Sequence, residues 1–426
     1  MKKKIITNVL YSFIEKLSSI ISRFLISILL IRLLSREDYG IIGTVVGYFV
    51  FINFINISIE SIILRDHKKI STSISKYFSN FFYFNIAKSS IILAIALFLS
   101  FYLVNHTNNM DYFYAIISYT SILITDAFTA PLIIFTTAKF DQKRVTLFTE
   151  VRLVINVFLS FGIFLFPSLM YVAFKDIVVS IVFLLIWFIY FIKLNNNERL
   201  FDIKLIDINF LKKIIMDYSL WTHLNGVVTT FIYKSDIFFL SLFFDLAVIG
   251  NYNIALTAAN VANIIPMILA NQNSIAISHA RDNIHANKIS NNFIKVSLLI
   301  GLVSILAFIF VGEFYLKIIT GEPNNENIYS YMIPIVIGLV IVKTIASPLN
   351  AYVNIKGSVK GLFNKVLMPT FVFTSISYFV CAYLWGPLAV ARVNILNSIF
   401  WLALMIKYAS NYNYSFRSIF KIKKSK

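Results

Sequence analysis

Ten charged side chains interrupt otherwise apolar stretches, and they are where this sequence could do chemistry. Seven are basic: Lys16, Arg23, Lys88, Arg152, Lys234, Lys343 and Arg392. Three are acidic: Glu60, Asp126 and Asp236. A charge in mid-bilayer costs roughly 2.5–3.5 kcal/mol on insertion scales, so such residues face a cavity or a partner. Ser12, Lys16, Ser19, Arg23 and Ser27 recur at steps of three and four, which makes one polar stripe on a helix. Arginine offers phosphate or carboxylate oxygens a rigid fork, and lysine a mobile point charge. The basic residues therefore suit an anionic cargo. A carboxylate in low dielectric can take up a proton or a cation, which makes Glu60, Asp126 and Asp236 candidates for ion coupling.

Each residue also has a plainer reading. Lys16 could pair with Glu60 or snorkel to the interface. Lys88, three turns into its stretch, lies too deep for easy snorkelling. Lys343 and Arg392 could pair with acids on neighbouring helices, and Asp126 and Asp236 with any of the buried cations. Arg152, two residues from Glu150, could be solvated at the inner end of its helix. Lys175 and Asp176 fall at an outer boundary and read as interfacial.

The elements that must position these residues follow from composition. Of 426 residues, 58% are hydrophobic and 14% charged, with a mean hydropathy of +0.79. Soluble domains carry about a quarter charged residues. No soluble fold of this size could hide so much apolar surface, so lipid is the solvent. In lipid every backbone polar group must be satisfied internally, and apolar stretches of about 20 residues without strict alternation select helices. The spans fall at 8–33, 40–64, 79–104, 112–138, 145–167, 170–192, 219–244, 247–271, 292–316, 328–353, 360–384 and 386–408. The expectation is an all-α integral membrane protein of about 12 transmembrane helices in two six-helix lobes. Residues 1–192 form the first lobe and 219–408 the second. Between them, 193–218 is a cytoplasmic linker in which Ile208, Leu211 and Ile215 share the face of an interfacial helix. Residues 409–426 are a basic tail.

Orientation follows from Lys and Arg placement. With the N-terminus inside, inner segments hold 27 of the 38 basic residues, including Lys68, Lys69, Arg199, Arg281 and the tail, while the outer loops hold only Arg32 and Arg36. Both termini are therefore expected in the cytoplasm. The net charge of +18 is topology plus attraction to an anionic leaflet and needs no nucleic acid. Met1–Lys4 before an apolar stretch has the look of a signal peptide. Lys16 and Arg23 interrupt the stretch and no small-residue cleavage site follows, so it reads as a retained first helix. Cys381 stands alone, which excludes a disulfide. The five histidines show no metal spacing, and no Walker motif is present, so neither a cofactor nor an internal ATP motor is expected.

The chain also repeats. Leu34-Ser-Arg-Glu-Asp-Tyr-Gly40 and Phe244-Asp-Leu-Ala-Val-Ile-Gly250 are short outer turns, each with an acid before a glycine, 210 residues apart. Adding 210 carries the third and fifth spans close to the ninth and eleventh. Two six-helix repeats fit, an arrangement common in secondary transporters.

Leu33-Leu-Ser-Arg-Glu-Asp-Tyr-Gly40 resembles the first outer turn of bacterial polysaccharide and O-antigen repeat-unit flippases. Lys234-Ser-Asp-Ile-Phe-Phe-Leu240 with Ile249-Gly-Asn-Tyr252 is similar to their helix 7–8 signature, an Asp followed by Gly-x-Tyr. Phe314-Tyr-Leu-Lys-Ile-Ile-Thr-Gly321 resembles their ninth helix end. That family lies in the multidrug/oligosaccharidyl-lipid/polysaccharide exporter superfamily. The resemblance implies a two-lobed fold in the bacterial inner membrane that moves an undecaprenyl-diphosphate-linked oligosaccharide to the periplasmic leaflet. A glycan polymerase and a chain-length regulator are possible partners in polysaccharide or lipopolysaccharide assembly. With it, the basic residues would line a central lumen and meet the diphosphate, with H+ or Na+ antiport as the energy source. Two alternatives stand beside this. A multidrug exporter of the same superfamily should have an acidic lumen, whereas deep cations outnumber deep acids here. A membrane glycan polymerase or transferase would need large outer loops, and these are short.

Overall fold

The computed structural model describes residues 2–60, 62–65, 70, 73–139, 141–195, 200–278, 280 and 282–415. The cations Lys68, Lys69, Arg199 and Arg281, and the tail from Arg417 onward, lie outside them. All regular elements among the described residues are helical. The chain divides into two compact units, Met1–His223 and Leu224–Lys426.

Nine helices among the described residues are long and apolar enough to cross a membrane. Large apolar side chains stand exposed along them, Phe98 at 72%, Phe158 at 75% and Phe310 at 81%. A folded surface carries such groups where lipid covers it. Three further helices of 17 residues or more fall outside the nine. Lys2–Leu33 is long but interrupted by Glu15, Lys16, Arg23 and Arg32. Arg36–Ile52 is only 17 residues. Leu220–Ser241 carries His223, Asn225, Lys234 and Asp236.

Local sequence explains the helix ends. The turn at Leu34–Gly40 is a capping box. The Ser35 hydroxyl accepts from the Asp38 amide at 3.0 Å, and the Asp38 carboxylate accepts from the Ser35 amide at 3.2 Å. Glu37 and Asp38 in the first turn also favour the helix dipole. The repeat turn keeps the extended N-cap at Asp245 but makes no side-chain cap bond. Asn283–Thr320 ends on Gly321 at φ +75°, a left-handed cap. Gly386 at φ +82° turns the chain between Met368–Trp385 and Pro387–Ser410.

The second span departs from expectation. Residues 40–64 read as one helix, but the helix stops at Ile52. Beyond it the ladder tightens: Phe54 N bonds Phe51 O, Asn56 N bonds Asn53 O, and Ile57 N reaches only Ile55 O. A short helix, Ile62–Arg65, follows. Asn53 and Asn56 carry side chains that compete with helical backbone bonds. Glu60, expected on the inner end of a helix, therefore sits in an unwound segment.

In the first unit, Ile74–Thr107, Asp111–Ala138 and Leu169–Leu194 share an aromatic core. Phe78, Phe135, Trp187 and Phe191 are buried, and the Phe78 ring lies 4.5 Å from that of Phe191. The connection after Leu194 is stapled to the start of Ile74–Thr107. Ser79 donates to Leu200 O and accepts from Asp202 N. Asn80 donates to Leu205 O and accepts from Asp207 N. Tyr83 donates to Phe201 O, and Lys76 pairs with Asp207 at 3.0 Å. The short helix Ile208–Ile214 turns Leu211 and the following Ile215 to the aromatic core, while Ile208 is exposed.

In the second unit, Glu326–Ile341 packs on Pro387–Ser410. A Cβ at Gly338 would stand 2.4 Å from the Asn394 side-chain oxygen and 3.2 Å from its backbone carbonyl carbon. Only glycine allows that approach.

Candidate functional site

In the first unit the polar stripe of Lys2–Leu33 forms as the spacing predicts. Its acid-bearing edge faces Gln142–Ser160. Gln142 donates to Glu15 at 2.7 Å, and the Thr146 hydroxyl contacts Glu15 and the Tyr11 carbonyl. Glu15 was not a candidate from the sequence. It lies one turn from both Ser12 and Ser19, which is the signal that marked Lys16. Lys16 and Arg23 are exposed. Among the described residues neither makes an ion pair, and the possible Lys16–Glu60 pair does not form. Instead the Ser58 hydroxyl donates to Glu60 at 2.6 Å.

Lys88 is buried, at 6% exposure, and its ammonium donates to the Ile57 carbonyl at 3.1 Å. The Phe84 ring lies beneath it at 5.8 Å. His223 Nε2 lies 3.1 Å from the Phe54 carbonyl. A carbonyl only accepts, so this nitrogen carries the proton. Two side chains thus satisfy carbonyls that the unwound segment leaves without helical partners.

Arg152 and Asp126, a cargo candidate and a coupling candidate, meet each other at 3.1 Å, with the guanidinium 4.5 Å over the Phe183 ring. Lys175 and Asp176, which read as interfacial, are buried instead. The two side chains are 3% and 12% exposed and 2.8 Å apart, with Lys175 also donating to Asn156 and Ser118 to Asp176. Helices Asp111–Ala138, Gln142–Ser160 and Leu169–Leu194 close over them. A buried ion needs such pairing and extra hydrogen bonds to offset its desolvation.

In the second unit, Asp236 is completely buried. It accepts from the Tyr252 hydroxyl at 2.8 Å and from the Ile237 amide at 2.9 Å. Among the described residues no cation pairs with it. Tyr378, Thr374 and Asn397 are buried on the neighbouring helices. The Asn397 side chain accepts from Ser377 at 2.8 Å. The Gly-x-Tyr segment was the signal for Tyr252, but its bond to Asp236 crosses two helices.

Lys343 sits where Glu326–Ile341 passes into a π-helical turn, Val342–Ala346. Its ammonium lies 4.1 Å from the Tyr233 ring centre. Lys234 is half-buried and Arg392 exposed, and neither makes an ion pair among the described residues. No group of three or more His, Cys, Asp or Glu side chains gathers among the described residues.

Solved structures share this fold. A multidrug resistance MATE family transporter of the MOP superfamily, inward-facing, matches with a TM-score of 0.69 over 92% of this chain and 94% of its own, at 14% identity. The lipid II flippase MurJ, inward closed, matches with 0.60 over 95% and 87%, also at 14% identity. The chain has the fold of these two proteins. Residues 29–329 match the family described as polysaccharide biosynthesis protein, and the chain belongs to that family. No curated protein matches its sequence.

Proposed function

We propose that this protein is a flippase for an undecaprenyl-diphosphate-linked oligosaccharide. It carries the repeat unit from the cytoplasmic to the periplasmic leaflet of a bacterial inner membrane by alternating access. In this reading the three polar helices join the nine apolar ones as twelve spans, with both termini in the cytoplasm. A proton or sodium gradient supplies the energy, and Asp236, which lacks a cationic partner among the described residues, is the coupling group. A glycan polymerase and a chain-length regulator would act on the delivered unit.

One observation carries the choice of cargo. Lys16 and Arg23 lie on a helix of membrane-spanning length and hold no acid among the described residues, while Asp126 and Asp176 are already paired. Unpaired cations favour a diphosphate over the cationic drugs that a multidrug exporter moves. The test is Arg23→Glu in a flippase-null strain. It is expected to insert normally and to abolish glycan display. Normal display by this variant would reject the anionic-cargo reading.

A further inference from the structure

We propose that Ile203, Ile206 and Ile208, with Lys204, Lys212 and Lys213, form a docking surface for anionic phospholipid headgroups. The inference goes beyond the flippase reading and does not depend on it.

The surface differs from the one that periodicity picks out. Ile208, Leu211 and Ile215 share a helical face in the sequence, but Leu211 and Ile215 pack against the aromatic core of the first unit. Phe210 is taken up as well, edge-on to Tyr77 at 4.9 Å and beneath the Lys76 ammonium at 5.2 Å. Another set is left facing outward. Ile203 is 64% exposed, Ile206 36% and Ile208 76%, and the three lysines are exposed among them.

The bonds to Ser79, Asn80 and Tyr83 fix the depth of this set. These residues lie in the first turns of Ile74–Thr107, a helix long and apolar enough to cross a membrane. The apolar span of that helix starts at residue 79. Asn80 holds both the Leu205 carbonyl and the Asp207 amide, so Ile206, between them, sits at the level where the span begins. Exposed isoleucines at that level meet the edge of the lipid, where an apolar patch is covered.

The unpaired charge on the surface has one sign. The Asp202 carboxylate accepts from the Lys204 amide at 2.9 Å. Asp207 accepts from the Phe210 amide at 3.0 Å and pairs with Lys76. Lys204, Lys212 and Lys213 make no ion pair among the described residues. A zwitterionic surface would cover the isoleucines and leave these three ammoniums without counter-charge. An anionic one satisfies both parts of the patch.

The test uses the full chain with Cys381→Ala and Asn209→Cys, the new thiol carrying a fluorophore. It is reconstituted into vesicles of equimolar phosphatidylcholine and phosphatidylglycerol. One lipid or the other carries a nitroxide quencher near the top of its acyl chain. Quenching by phosphatidylglycerol is expected to exceed quenching by phosphatidylcholine. Lys204→Gln, Lys212→Gln and Lys213→Gln together should lower that preference about fivefold or more. Ile208→Ser should weaken quenching by both lipids. Thermal unfolding should be unchanged in each variant, which separates lipid contact from a role in folding. Equal quenching by the two lipids would overturn the proposal, and so would a preference that survives the loss of all three lysines. Absence of quenching by either lipid would place the patch in water and overturn it in favour of a protein partner.

Discussion

The Tyr252 hydroxyl donates to the Asp236 carboxylate at 2.8 Å, joining two successive helices across 16 positions of sequence. A fully buried carboxylate needs a donor, and the tyrosine supplies one without supplying a charge.

Asp236→Asn keeps the shape and the bond to Tyr252 and removes the exchangeable charge. Transport driven by a proton or sodium gradient is expected to fall to the rate seen with no gradient, while thermal unfolding is little changed. A variant that keeps its full response to the gradient would assign the coupling elsewhere.

Arg152 and Asp126 should behave as one unit. Each single change, Asp126→Asn or Arg152→Gln, leaves a charge without its partner. The double change should cost less than the sum, with a coupling of about 1 kcal/mol in thermal unfolding. Transport by Asp126→Asn should fall by the same factor at every gradient. A changed gradient dependence would instead make Asp126 a coupling group.

Lys88→Met keeps the bulk of the stem but removes the donor to Ile57 O. Loss of a buried bond from a charged donor costs on the order of 1–3 kcal/mol. The unwound stretch around Asn53–Ile57 should then exchange its amide hydrogens faster. Unchanged exchange there, with weakened cargo binding, would point to Lys88 as a cargo contact.

Asp207 lies outside the membrane spans. Its carboxyl is held below the ordinary carboxylate range by the Phe210 amide and then by Lys76. A lowered value stabilises the fold above the unfolded value of about 3.9 and loses that contribution as the pH falls through the lowered one. Asp207→Asn should therefore flatten the acid limb of a melting curve taken from pH 5 to pH 2, with little effect at pH 7. An acid limb identical to wild type would mean that the carboxylate contributes nothing there.

Apolar length and periodicity made the helices legible, because both are local properties of the chain. The outer turn Leu34–Gly40 and the helix end at Gly321 were readable for the same reason. The break after Ile52 was not. Residues 51–60 read as apolar with scattered asparagines, and the segment is held open by Lys88 and His223 from distant positions. The charges show the same limit. The stripe of Ser12, Lys16, Ser19, Arg23 and Ser27 needs only one helix to be seen. The Arg152–Asp126 pair spans two helices and 26 positions. Lys175 and Asp176 were placed by depth alone, and depth does not distinguish a headgroup from the space between three packed helices.

The staples at the start of Ile74–Thr107 bear on how the molecule can be cut. Residues 200–207 form a connection without long helices, where a protease would be expected to nick. To be cleaved, a segment must first leave its partners and extend. Here Leu200, Phe201, Asp202, Leu205 and Asp207 each give a backbone group to Ser79, Tyr83 or Asn80. Limited digestion of the native protein should spare this stretch, and replacing Asn80 with alanine should open it to the enzyme.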